Sequence, residues 1–89
     1  MGLHESHPAI IKRLKRTSGH LNSVIKMLED KRGCLEIAQQ LHAVEKAIVT
    51  AKKTLVMDHV DHCLEHAVES DSKASKNSVA EFKEITKYL

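Results

Sequence analysis

The chain has 89 residues, a formal net charge of +2, one Phe, one Tyr and no Trp. That is one domain at most, near the size where a single core is marginal, and the core must be aliphatic. Gly2, Gly19, Gly33 and Pro8 are the only helix breakers, and neither an apolar run of about 18 residues nor a signal peptide is present, so an all-α, cytoplasmic, non-membrane protein is expected. In a reducing cytosol two cysteines serve as thiolates or stay idle more readily than they pair.

Residues 1–7 read as a flexible start carrying His4 and His7. Pro8 suits the first turn of a helix, and Ile11, Leu14, Leu21, Ile25 and Leu28, with Ser18 filling one slot, follow a 3-4-3-4-3 spacing. This helix is expected to end near Asp30, with Lys31-Arg32-Gly33 as the turn. Its first half carries Lys12, Arg13, Lys15 and Arg16, four cations in five residues. Such a run is often a solvated helix face. With Lys52 and Lys53 it also forms a basic surface suited to phosphates, read through shape and backbone contacts, since no helix-turn-helix is recognisable.

The second helix begins at Cys34 or Leu35, carries a seam of Ile37, Leu41, Val44, Ile48, Ala51 and Leu55, and keeps its period to about Val68. Such a helix exceeds the usual length for a small domain, and a 23-residue partner cannot cover its apolar side. Residues 70–77 read as a polar linker. Ser78 then opens a capping box with Glu81, and Phe82, Ile85 and Leu89 form the stripe of a short third helix. No internal repeat or low-complexity tract is present.

His59 and Cys63 are four apart and share one helical face, a good chelating pair. Cys34 stands twenty-five residues earlier, about 37 Å along an unbroken helix at roughly 1.5 Å per residue. A metal–thiolate bond is about 2.3 Å. Cys34 of the same chain therefore cannot complete the site, whereas Cys34 of an antiparallel second copy can. The two-fold axis of such a dimer falls near residues 47–48, the middle of the row Ala43, Ala47 and Ala51, whose small side chains permit close helix approach.

Each element also has a plain alternative. Cys34 alone reads as a structural thiol, and a histidine four residues from a cysteine is common by chance; it is the spacing of all three that favours a metal. His62 and His66 read as solvated histidines or auxiliary ligands. His4 and His7 either stay in a loose tail or fold over the site, and His20 and His42 read as helix residues without a ligand role. Glu81 has a local use in the capping box, with a contact to a metal-bound His59 as the second reading. No catalytic triad, glycine-rich phosphate loop or carboxylate pair is present, so no enzyme and no small-molecule substrate are expected.

The R-L-K-R-x-x-G-H start of helix 1, the Cys34 turn, Q-Q-L-H-A-V and D-H-V-D-H-C give a pattern that resembles the CsoR/RcnR/FrmR family of bacterial metal- and aldehyde-responsive repressors, over nearly the whole chain. The resemblance implies three-helix chains forming antiparallel four-helix-bundle dimers and then disc-shaped tetramers, which hold operator DNA when empty and release it on ligand binding. It assigns Cys34 of one subunit with His59 and Cys63 of the other to the metal, and Arg13 and Lys15 to DNA. Gly33 stands where copper-sensing members often carry an aromatic residue. Gly2 departs from the proline of the formaldehyde-sensing branch, and His59 departs from the persulfide-sensing branch.

Two thiolates and one imidazole suit Cu(I), whereas adding His4 or His7 makes a four-coordinate set that suits Ni(II) or Co(II). The H-x-x-H-P opening and D-H-V-D-H-C favour nickel or cobalt over copper in this reading. A repressor derepressing metal efflux genes is the expected function. A metal-storage or delivery protein, and a helical oligomer with idle histidines, are the competing ones.

Overall fold

The computed structural model describes residues 5–69 and 73–89, with side chains outside 66–75. Three helices are described: α1 (His7–Glu29), α2 (Cys34–Glu69) and α3 (Lys73–Ile85), the last followed by a 3-10 turn over Thr86–Tyr88. The all-α expectation holds, and the boundaries of α1 and α2 fall within a residue or so of those expected. His4 lies outside the described residues, as does the side chain of His66.

The chain packs as two compact units, and α2 contributes to both. One is Pro8–Ala51; the other is Lys52–Leu89 with the N-terminal residues through His7.

In the first unit, the α1–α2 turn is closed by backbone geometry. Arg32 N donates to Met27 O at 3.0 Å and Lys31 N to Leu28 O at 3.1 Å, the bond pair of a Schellman cap. The residue with the left-handed backbone is Lys31, at φ 57°, and not Gly33. Gly33 instead caps α2, its carbonyl accepting from Ile37 N at 3.1 Å, and Cys34 is the first residue of the helix.

The buried positions of this unit recur every seven residues: Ile10, Thr17 and Val24 on α1, Ile37, Val44 and Ala51 on α2. Val24, Ile37 and Val44 form its cluster, with Met27 against them. The seam expected on α1 is thereby corrected. Ile11, Leu14, Leu21, Ile25 and Leu28 are exposed, and on α2 so are Leu41, Ile48 and Leu55. Both helices carry two apolar stripes, and the single chain buries the one with β-branched and small residues, which lets the backbones come close. Thr17 fits this buried row because its hydroxyl donates to Arg13 O at 2.9 Å.

The start of α3 is also corrected. The expected linker 70–77 is helical from Lys73, so Ser78 is inside the helix and caps nothing. Lys73, Ala74 and Lys76 are good helix formers, and nothing interrupts them. Phe82 and Ile85 are half-buried as expected of the stripe, whereas Leu89 is exposed.

Candidate metal centre

Along the second unit's stretch of α2, Val56, Val60 and Cys63 are the buried side chains among the described residues. Cys63, 2% exposed, occupies a core position, which fixes its Sγ and leaves it few rotamers. His59 precedes it by one helical turn, half-buried. With Ser78 not acting as a cap, Glu81 is released from the capping box and points its carboxylate at the imidazole. His59 Nε2 lies 2.7 Å from Glu81 Oε2. A carboxylate can only accept, so a neutral ring bonded to it through Nε2–H would leave the Nδ1 lone pair open to a metal.

One ligand atom from each of His59, Cys63 and Glu81 lies within 4.8 Å of the others. Among the described residues this is the group of metal-ligating side chains that comes together; His7 is not in it. The His62 ring sits edge-on to His59, centroids 6.1 Å apart. An open groove of about 420 Å³, lined by His59, Ala80, Glu81, Glu84, Ile85 and Tyr88, gives the imidazole access to solvent.

Burial pushes the Cys63 thiol above its ordinary pKa of 9.0, and the Glu81 carboxylate pushes the same way. The metal-free site therefore holds a protonated thiol, and a cation that binds there displaces the proton. A nitrogen, a sulfur and an oxygen donor in this compass fit a transition metal, and the soft thiolate selects against magnesium and calcium.

Cys34 lies elsewhere. It opens α2, exposed, and the helix is unbroken from Cys34 to Glu69. The intervening turns rule out the helix break that a same-chain Cys34 ligand would need. The N-terminal segment is tied to the second unit by Ser6, whose hydroxyl donates to Asp58 Oδ2 at 2.6 Å, next to His59 in sequence. Nothing in the sequence pattern pointed to that bond.

The basic residues sort onto different surfaces. Lys12, Arg13, Lys15, Arg16, Lys52 and Lys53 are all exposed. Arg13 and Arg16 line a small cleft of about 110 Å³ with Thr17, His20 and Ala47. His20 Nε2 meets Gln40 Oε1 at 2.6 Å, pinning α1 to α2 beside that cleft. His42 pairs loosely with Glu45 at 3.7 Å on the exposed side of α2. Of the alanine row, Ala51 is buried, Ala47 half-buried and Ala43 exposed.

Residues 6–88 match the family model described as metal-sensitive transcriptional repressor. The copper-sensing transcriptional repressor CsoR of Mycobacterium ulcerans is 33% identical over 66 residues, covering 74% of this chain and 56% of that protein. CsoR of Bacillus subtilis is 34% identical over 80 residues, 88% of this chain and 79% of that protein. The copper-sensing repressor RicR of Mycobacterium tuberculosis is 29% identical over 70 residues, 79% of this chain and 73% of that protein. The chain spans about half the length of the mycobacterial CsoR proteins it matches. No solved structure matches. These relatives are named for copper, and the expected leaning toward nickel or cobalt finds no support among them. Among the described residues, no helix is long and apolar enough to cross a membrane. The chain belongs to the family of metal-sensitive transcriptional repressors, which are not enzymes.

Proposed function

We propose that this chain is a Cu(I)-responsive repressor that holds operator DNA when metal-free and releases it on binding copper, freeing metal efflux genes for expression in the cytoplasm. The observation that carries the reading is the pair His59 and Cys63, one buried thiol and one imidazole oriented by Glu81. Cys34 of a second, antiparallel subunit supplies the third donor. Two thiolates and an imidazole in trigonal array are what a soft monovalent ion prefers, and the copper-sensing names of the relatives point the same way.

The exposed apolar stripe supports the assembly. Ile11, Ile25 and Leu28 on α1 and Leu41 and Ile48 on α2 are each more than two-fifths exposed, a row of large apolar side chains at helical spacing that suits an interface. A second copy covers it in a four-helix-bundle dimer, and dimers pair into a tetramer. Lys12, Arg13, Lys15, Arg16 and Lys53, summed over the subunits, present phosphate-binding surface.

A band shift with promoter DNA at low salt, with and without Cu(I) under reducing conditions, tests the reading. Metal-free protein should bind and copper should release it. Absence of binding at low salt would remove the repressor reading and leave storage or delivery. Replacing Arg13 and Lys15 with Ala should weaken DNA binding and reduce the salt slope by about 2 for each subunit that touches DNA, at roughly 0.9 per phosphate contact.

Nickel or cobalt is the second reading, favoured by one observation. The bond from Ser6 to Asp58 holds Ser6, the neighbour of His7 in sequence, beside the helical turn that carries His59. His7 or His4 would then add a fourth ligand. Changing both to Ala should weaken nickel about 10-fold or more and leave Cu(I) nearly untouched. Comparing nickel, cobalt, zinc and Cu(I) affinities under reducing conditions decides between the two.

A further inference from the structure

We infer that His59, Cys63 and Glu81 of a single chain form by themselves a site for a divalent cation of the zinc or cobalt class, with Glu81 as a direct ligand. This uses the residues of the proposed copper site differently, and it stands or falls independently of DNA binding.

The geometry supplies the first argument. Ligand atoms of the three residues already lie within 4.8 Å of one another. Two donors on one zinc, at bond lengths of about 2.0–2.3 Å in a tetrahedron, stand roughly 3–4 Å apart. Bringing the carboxylate round from His59 Nε2, 2.7 Å away, onto a shared metal needs a rotation of one side chain. Glu81 can make it, because its side chain is 62% exposed and rotates freely, whereas His59, at 23%, and buried Cys63 are held by the helix and the core.

Charge supplies the second. One thiolate and one carboxylate balance a doubly charged ion within one chain, and a water completes the tetrahedron, the usual composition of an open zinc site. No thiolate from another subunit is required. Cu(I) calls for the opposite arrangement, because a soft monovalent ion gains little from a carboxylate oxygen and much from a second sulfur.

The two metal classes therefore treat the bond from His59 Nε2 to Glu81 differently. With copper the carboxylate stays on the imidazole and Cys34 of a second subunit joins. With a divalent ion the carboxylate moves onto the metal, the imidazole loses its acceptor, and Cys34 is left out. A divalent ion can thus occupy the site without bridging two subunits.

Cobalt is the probe, since its visible spectrum reports coordination number and thiolate ligation. Titrations with Co(II) and Cu(I) under anaerobic, reducing conditions compare the full chain with Cys34→Ala and Glu81→Gln. Gln keeps an oxygen that can accept from His59 but is a poor ligand. A crossed pattern is expected. Cys34→Ala should cost Cu(I) at least about tenfold more than cobalt, and should still bind one cobalt per chain with thiolate charge-transfer absorption. Glu81→Gln should cost cobalt at least about tenfold more than Cu(I). Circular dichroism checks that each variant keeps its helices, and Glu81→Asp, retaining a carboxylate, should recover part of the cobalt affinity. Loss of cobalt binding in Cys34→Ala, or equal losses of both metals in Glu81→Gln, would overturn the single-chain site. Failure of copper to release DNA would instead sink the repressor reading and leave this one intact.

Discussion

The two compact units use the same kind of buried helix position for different purposes. In Pro8–Ala51, the buried row of α2 is Ile37, Val44 and Ala51, side chains with no chemistry. In Lys52–Leu89 the corresponding interior is Val56, Val60 and Cys63, and the last of these is a thiol. The first unit keeps its charged residues outside, with Arg13 and Arg16 at a surface cleft, and its one described buried polar side chain, Thr17, is satisfied by Arg13 O. The second places one in its core. On the proposed function, packing and ligand binding are separable in the first region and inseparable in the second, because one atom, Cys63 Sγ, would serve both.

The largest effect that would test this contrast comes from Cys63→Ala. It should lower metal affinity by about a thousandfold, or ~4 kcal/mol, and should also lower the Tm, because it removes a donor and leaves a void. If metal affinity falls while the Tm is unmoved, Cys63 is a ligand only and the two roles come apart. Val24→Ala is the counterpart in the first unit, at a side chain 1% exposed. It should cost about 2 kcal/mol in urea unfolding and leave metal affinity within twofold of the parent.

Acidity sharpens the comparison further. Cys63 is the group whose raised pKa reports its environment, through burial first and the Glu81 carboxylate second. A raised thiol pKa favours the neutral form in the folded chain. Its contribution to stability is therefore complete below the ordinary thiol pKa and is lost as the pH rises through the higher folded value. Metal binding has the opposite sign. Each ion displaces the Cys63 proton, so affinity should climb about tenfold per pH unit, ~1.4 kcal/mol, between about pH 7 and 9. A titration with a pH-independent competing chelator measures the slope, and a flat profile would mean that Cys63 is already ionised. The smallest effect belongs to the turn. Lys31→Gly relieves the left-handed backbone at φ 57° and should stabilise the first unit by about 0.5 kcal/mol in urea unfolding, with no change at the metal.

Much of this was legible in the sequence. Pro8, the Lys31-Arg32-Gly33 turn and the unbroken apolar period marked α1 and α2 closely, and the spacing of His59 and Cys63 put on one helical face two side chains that come together with Glu81. On α1 both stripes are apolar at helical spacing, and the heptad seam of Ile11, Leu14, Leu21, Ile25 and Leu28 is the one this chain leaves exposed. Periodicity marks a face as hydrophobic but does not say whether this chain or another covers it. The third helix started early because Lys73, Ala74 and Lys76 outweigh the serines around them, and with that the local use assigned to Glu81 disappeared. The bonds from His20 to Gln40, Ser6 to Asp58 and His59 to Glu81 join residues twenty or more positions apart, which no local pattern encodes.

The two cysteines differ in one further respect. Cys34 is open to solvent at the head of α2, while Cys63 is sealed in the interior. Oxidants and alkylating agents reach thiols in order of access, so damage would fall on Cys34 first. On the proposed function, a protein injured in that way keeps its core and loses its response to copper, while His59, Cys63 and Glu81 stay intact. Oxidative stress would silence such a sensor without unfolding it.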